Sequence, residues 1–166
     1  HVGTEFAYSL LKSYQDYGFD LNLEEIMRPE DWVAVAGMID EQAKPLIDTL
    51  TKLDELYASD PTNANEGVQN QIRNIMSTLS VDDINKAIGD YQAAIDSGKF
   101  SSEQNSGMES KIADLNLLLD QKKAFDGLIE LSVTDNASVP LKTVIGLLGQ
   151  IQSKNVVVGV SYQVGD

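Results

Sequence analysis

Apolar residues recur with helical spacing along most of this chain. A short first helix is predicted over 8–17, with Gly18 as its C-terminal cap. The clearest pattern begins at Pro29, a residue that suits the first position of a helix. Pro45 lies inside that pattern and predicts a kink or a division into two helices, because proline donates no backbone hydrogen bond. The apolar positions of this second helix are Trp32, Val35, Ile39, Leu46, Leu50, Leu53 and Tyr57.

Two helices are predicted beyond a polar loop at 60–65. The third helix covers about 66–79. Ser80 and Asp83 resemble a capping box, with aspartate in place of the usual glutamate, and open the fourth helix. Glycine readily adopts the left-handed conformation that ends a helix, so Gly98 is expected to end this one.

The last third of the chain predicts two more helices and a strand. A fifth helix is expected over about 102–132, and a sixth begins near Ser138 and Pro140. Residues 156–164 are rich in β-branched side chains and predict a strand, which needs a partner to pair with. The expected fold is therefore mainly α: an antiparallel bundle of about five or six helices with a C-terminal β-strand or small β element.

The length of 166 residues suggests one domain. Residues 1–6 resemble vector-derived sequence, because Gly-Thr and Glu-Phe are translations of common restriction sites. We expect a single helical domain over 7–166, cut from a longer protein.

The chain has no cysteine, and its one histidine is His1. These residue types supply the nucleophiles, bases and zinc ligands of many enzymes. The glycines follow neither the phosphate-loop nor the dinucleotide spacing. We therefore predict no catalytic residue, no cofactor and no metal site.

Carboxylates are the remaining reactive groups. Five adjacent acidic pairs occur, but neighbours on a helix point about 100° apart and do not face one substrate. The oxygen-rich residues 60–66 lack the acid and glycine pattern of an EF-hand calcium loop. Helix first turns, solvated faces and a polar connection explain these groups more simply. The pairs are Glu24-Glu25, Glu30-Asp31, Asp40-Glu41, Asp54-Glu55 and Asp82-Asp83.

The net charge of −14 restricts the partners. Nucleic acids are excluded, because their binding depends on lysine and arginine, and contact with anionic membranes is disfavoured. Residues 1–66 carry a net charge of −10, from 14 acids and 4 bases, whereas residues 67–166 carry −4, from 12 acids and 8 bases. A basic protein partner, a cation or simple solubility each explains this acidic front half.

Two groups of residues are candidates for partner binding. The first is the N-terminal aromatic set, and the second is the edge of the predicted tail strand, which could also pair with another copy of the chain. Packing of the first helix on the second explains the aromatic set more simply. The candidates are Tyr8, Tyr14, Tyr17, Trp32, Val158, Val160 and Tyr162.

These features predict a non-enzymatic protein interaction or assembly domain. An acidic, cysteine-free bundle resembles domains of bacterial secreted or surface proteins, so we expect an extracellular or cell-surface location, with a cytoplasmic location as the alternative. One alternative is a translocator or pore-forming component that uses 139–164, where an apolar helix precedes the valine-rich strand. Burial of that segment in the bundle explains it more simply. The other alternative is a hydrolase that works with carboxylates alone.

Overall fold

A computed structural model describes residues 29–134 and 140–151, with side chains over 30–130 and 140–151. This part of the chain is mainly α and forms a helical bundle, and it contains no strand. Its helices are α1 (Pro29–Ser59), α2 (Glu66–Thr78), α3 (Val81–Asp96), α4 (Ser102–Thr134) and α5 (141–151). The predicted helix at 8–17 and the predicted strand at 156–164 lie outside the described residues.

Local capping signals mark several of the helix ends. The Asn65 side chain accepts a hydrogen bond from the Val68 amide at 3.1 Å and begins α2. α3 begins immediately after Ser80, as predicted. Gly98 follows the end of α3 with a φ of 72°, the left-handed conformation that glycine adopts at little cost. The predicted positions of these helix ends are confirmed.

The start of α4 contains a capping box that the sequence analysis missed. The Ser101 hydroxyl accepts a hydrogen bond from the Gln104 amide at 3.1 Å, and the Gln104 side chain accepts one from the Ser101 amide at 2.8 Å. Each residue therefore satisfies a backbone donor that the helix itself leaves unpaired. The Ser-x-x-Gln spacing was a readable signal for a start at Ser102.

Pro45 does not divide the second helix, so that alternative of our prediction is wrong. α1 continues through Pro45 to Ser59 as one helix. Ala43, Leu50 and Leu53 are buried on either side of the proline, so packing holds both halves in the helical conformation. This burial offsets the loss of one backbone hydrogen bond.

The chain divides into two compact units, and neither is continuous in sequence. The described part of the first unit comprises 29–47 and 82–115. That of the second unit comprises 48–81, 116–134 and 140–151. The divisions fall inside α1 and inside α4, so each of these helices supplies residues to both units.

In the first unit, side-chain contacts fix the directions of three helices. Asp40 bonds to Tyr91 and Gln42 bonds to Lys86, so α1 and α3 run antiparallel. α1 and α4 run in the same direction, because Trp32 contacts Phe100, two residues before α4, and Asp40 contacts Lys111 within α4. The buried apolar side chains are Trp32, Val35, Ile39, Ala43, Ile84, Ala87, Tyr91, Ala93, Ala94, Met108 and Leu115.

The second unit has α4 at the centre of its core. Between 117 and 125 the buried positions of α4 cover more than half of the helix circumference. α5 packs closely within this unit, because a Cβ on Gly146 would lie 3.4 Å from the side-chain Nδ2 of Asn63 and one on Gly149 would lie 3.9 Å from the Tyr57 ring. The buried apolar side chains are Leu50, Leu53, Leu56, Ile72, Met76, Leu117, Leu118, Leu119, Phe125, Val144, Ile145 and Leu148.

Candidate functional site: a groove and two polar clusters

A groove of about 400 Å³ lies between α1 and α3 in the first unit. It is open to solvent. Each helix supplies residues spaced three and four apart, which share one face of a helix. The small side chain of Ala87 and the half-buried Leu46 make its floor apolar. The lining residues are Gln42, Pro45, Leu46, Asp83, Lys86 and Ala87.

Lys86 is the basic residue of the groove lining, and its charge is balanced within the unit. Its Nζ donates to the Gln42 side-chain oxygen at 2.8 Å and to Asp90 Oδ2 at 3.0 Å. The Asp90 carboxylate is only 1% exposed, so this pair is shielded on one side from water. Asp83 is an exposed carboxylate of the groove lining.

A second polar cluster joins α1, α3 and α4 at one carboxylate oxygen. Asp40 Oδ1 accepts from the Tyr91 hydroxyl at 2.6 Å and from Lys111 Nζ at 2.8 Å. Lys111 Nζ also lies 5.8 Å from the centroid of the Tyr91 ring, within cation–π range. Burial raises the pKa of Tyr91, and the hydrogen bond to Asp40 and its negative charge raise it further.

Asp114 lies one helical turn beyond Lys111 on α4. Partial burial raises the pKa of its carboxyl, because desolvation disfavours the charged form. A raised pKa is one requirement of a general acid, but a carboxylate hydrolase also needs a second carboxyl across a cleft.

The second unit contains polar groups in its core. The Tyr57 hydroxyl donates to the Gln121 side-chain oxygen at 2.6 Å, and Gln121 is fully buried. Burial raises the pKa of Tyr57, and the nearby negative charge of Asp54 raises it further. Lys122, also buried, donates to the Met76 carbonyl and to Asp126, each at 2.8 Å.

The oxygen-rich loop at 60–65 organises its own backbone. The two carboxylate oxygens of Asp60 accept from the Ala64 amide at 3.1 Å and the Asn65 amide at 2.9 Å. Asn63 adopts a φ of 58°, and its carbonyl accepts a hydrogen bond from the Gln69 side chain. These bonds give the loop the role of a polar helix connection.

The predicted partner-binding residues lie mostly outside the described part of the chain. Trp32 is described: it is 4% exposed and packs edge-to-face on Phe100, with ring centroids 6.0 Å apart. Its Nε1 has no hydrogen-bond partner within the described ranges. The residues outside the described ranges are Tyr8, Tyr14, Tyr17, Val158, Val160 and Tyr162.

The described residues of the first unit carry most of the excess negative charge. They include eleven acids and four bases, a net charge of −7, and eight of the acids are exposed. The described residues of the second unit include eight acids and five bases, a net charge of −3. The exposed acids of the first unit are Glu30, Asp40, Glu41, Asp82, Asp83, Asp96, Glu103 and Glu109.

Within 29–134 and 140–151, no helix combines the length and the apolar character that a membrane crossing requires. No group of three acidic or histidine side chains in the same ranges could hold a metal ion.

Comparison with known proteins adds no assignment. No family model, no curated protein and no solved structure matches this chain significantly.

Proposed function

We propose that this protein is a non-enzymatic interaction domain that binds a basic protein partner through the first unit. An extracellular or cell-surface location is proposed with it, on the sequence pattern alone. The observation that carries the proposal is the charge of the first unit, −7 over its described residues, with eight of eleven acids exposed. Such a surface attracts a cationic partner over a distance and accelerates its association.

The test uses two triple variants with the same change in net charge. The first-unit variant carries Glu41→Gln, Asp82→Asn and Glu109→Gln, and the second-unit variant carries Glu55→Gln, Glu66→Gln and Glu130→Gln. All six acids are exposed, and each triple contains two positions inside helices and one in a helix first turn. Their effects on stability should therefore be similar.

The measurement is capture of proteins from the native lysate on immobilised chain, followed by the affinity of the recovered protein. We expect a partner with a basic binding surface, which salt weakens. The first-unit variant should bind it several-fold more weakly by slower association, and the second-unit variant should bind it as the unchanged chain does. Equal loss from both variants, or no loss from either, would contradict the proposal.

The translocator alternative requires release of 139–164. In the described portion of that segment, Val144, Ile145 and Leu148 are all nearly fully buried. Exposing three such side chains costs on the order of 5–9 kcal/mol, at about 1.5–3 kcal/mol each. This cost weighs against release and favours α5 as part of the core.

A further inference from the structure

α2 buries few of its side chains. Of its thirteen residues only Ile72 and Met76 are buried, whereas α3, with sixteen residues, buries six. Local opening of a folded protein requires the least free energy where few apolar side chains leave the core. α2 therefore has the character of an element that can open while the rest of the second unit stays folded.

The two ends of α2 are held in different ways. At the N-terminal end, Asn65 caps the helix and the Gln69 side chain donates to the Asn63 carbonyl, so these contacts are made with the adjoining loop. At the C-terminal end, the cap residue Leu79 is in an extended conformation, and the last turn of α2 contains no basic residue. The negative end of the helix dipole therefore receives no cation from α2 itself.

Lys122 of α4 supplies this cation across 46 residues of sequence. Its Nζ donates at 2.8 Å to the carbonyl of Met76, in the last turn of α2, where helix carbonyls lack amide partners within the helix. Nζ also donates to Asp126 at 2.8 Å and lies 5.8 Å from the centroid of the Phe125 ring. Because Lys122 is buried, loss of the Met76 carbonyl would leave a shielded ammonium group with one partner fewer.

We propose that α2 is a strap, an element that opens from its C-terminal end while the rest of the second unit stays folded. The contact between Lys122 and the Met76 carbonyl is the latch that keeps the strap closed. Opening exposes the buried side chains of Ile72 and Met76, so the open state presents an apolar surface that the closed state hides. The latch lies in the second unit and does not involve the acidic surface of the first unit.

The first experiment measures hydrogen exchange of the backbone amides of the full chain by NMR, at urea concentrations below the unfolding transition. We expect the amides of 70–78 to exchange at least about tenfold faster than those of 117–125, the buried segment of α4. Exchange in α2 should depend weakly on urea, because local opening exposes little surface, whereas exchange in 117–125 should depend steeply on it. The same steep dependence in both segments would overturn the strap.

The second experiment removes the latch. Lys122→Leu deletes the donor to the Met76 carbonyl, and we expect the amides of 70–78 to exchange at least about tenfold faster than in the unchanged chain, still with a weak dependence on urea. Lys123→Leu is the matched control, because Lys123 is exposed on the same helix and the change in charge is equal. This control should leave exchange in α2 within about twofold of the unchanged chain.

Two results would overturn the latch. One is an equal effect of the two leucine variants on exchange in α2, and the other is an increase that depends steeply on urea, as global unfolding does. Lys122→Gln keeps a polar side chain at this buried position and serves as a second variant if Lys122→Leu prevents folding. It should raise exchange of the 70–78 amides at least about threefold, with Lys123→Gln as its control.

Oxidation by hydrogen peroxide tests the strap without any substitution. Peroxide transfers one oxygen atom to the thioether sulfur of methionine, which yields the sulfoxide and water. Met76 is fully buried and Met108 is 7% exposed, so the closed structure alone predicts slower oxidation of Met76. Local opening of α2 should instead make Met76 oxidise severalfold faster than Met108, as measured by mass spectrometry of peptides. Oxidation of Met76 at or below the rate of Met108 would contradict the strap.

Discussion

One contact between helices of the first unit joins charged groups near solvent, whereas one contact in the core of the second unit joins neutral polar groups. In the first unit, the Asp40 and Lys111 side chains that meet are 49% and 40% exposed. In the second unit, the Tyr57 hydroxyl contacts Gln121, which is fully buried. Water competes strongly for the first contact and weakly for the second. We therefore expect equivalent substitutions to cost more in the second unit.

Among the predicted substitutions, the largest loss of stability is expected in the core of the second unit. Leu118 is fully buried on the central segment of α4, so Leu118→Ala should lower the free energy of unfolding by about 2–5 kcal/mol. Urea unfolding followed by circular dichroism measures this change. Leu147→Ala is the control, because Leu147 is 39% exposed on α5 and should lose less than about 1 kcal/mol. Equal losses would contradict the described packing.

The buried polar pair of the second unit gives the next effect. Tyr57→Phe removes the donor to Gln121 and should cost about 1–3 kcal/mol, because the buried amide loses a hydrogen bond without gaining water. A double variant that adds Gln121→Leu should recover part of this loss. Unfolding of the two single variants and the double variant gives the coupling energy. Strictly additive losses would show that the contact contributes nothing.

The pH dependence of stability gives a second test of the contribution of Tyr57. The folded protein holds the Tyr57 proton more tightly than the unfolded chain, so stability should fall as the pH rises above about 10. Tyr57→Phe removes this contribution. Its free energy of unfolding should therefore decline less steeply above that pH than that of the unchanged protein.

A smaller loss is expected from the matching tyrosine of the first unit. Tyr91→Phe keeps the buried ring and removes the donor to Asp40. Asp40 is exposed and retains Lys111, so the loss should be about 0.5–1.5 kcal/mol. Parallel urea titrations of Tyr91→Phe and Tyr57→Phe test the comparison directly. A greater loss of stability from Tyr91→Phe than from Tyr57→Phe would contradict the comparison of the two units.

The smallest change in stability is expected for substitution of Asp114. Its pKa is raised in the folded state, so the folded chain binds its proton more tightly and stability declines as the pH rises above the ordinary value near 3.8. Asp114→Asn should therefore be slightly more stable than the unchanged protein at neutral pH, with the difference vanishing below that value. Thermal unfolding across this range measures it, and a difference that does not vary with pH would contradict the assignment.

Helix positions could be predicted from the sequence, because capping residues and the apolar pattern are local features. Pro29 and Gly98 lie at the predicted ends. Of the seven apolar positions predicted for α1, five are buried, whereas Leu46 and Tyr57 are half-buried. The continuation of α1 through Pro45 could not be predicted from the sequence, because it depends on packing against residues distant in the sequence. The burial of Trp32 against Phe100 has the same origin.

The candidate site could not be predicted for a similar reason. Asp40 meets Tyr91 and Lys111 across 51 and 71 residues of sequence, and no pattern within one helix signals either contact. The groove depends on the spacing between α1 and α3 at Ala87, whose identity alone indicates only a small residue on a helix. The acidic charge, in contrast, could be predicted from the sequence, because it follows directly from the composition.

The discontinuity of the two units has a consequence for how this protein can be modified and inherited. Because α1 and α4 each contribute to both units, no single cut releases either unit as an uninterrupted stretch of chain. A recombination event with one crossover between residues 48 and 115 would divide both units. Modular domains, in contrast, end in linkers that few contacts cross. The two units are therefore expected to be gained, lost and unfolded together.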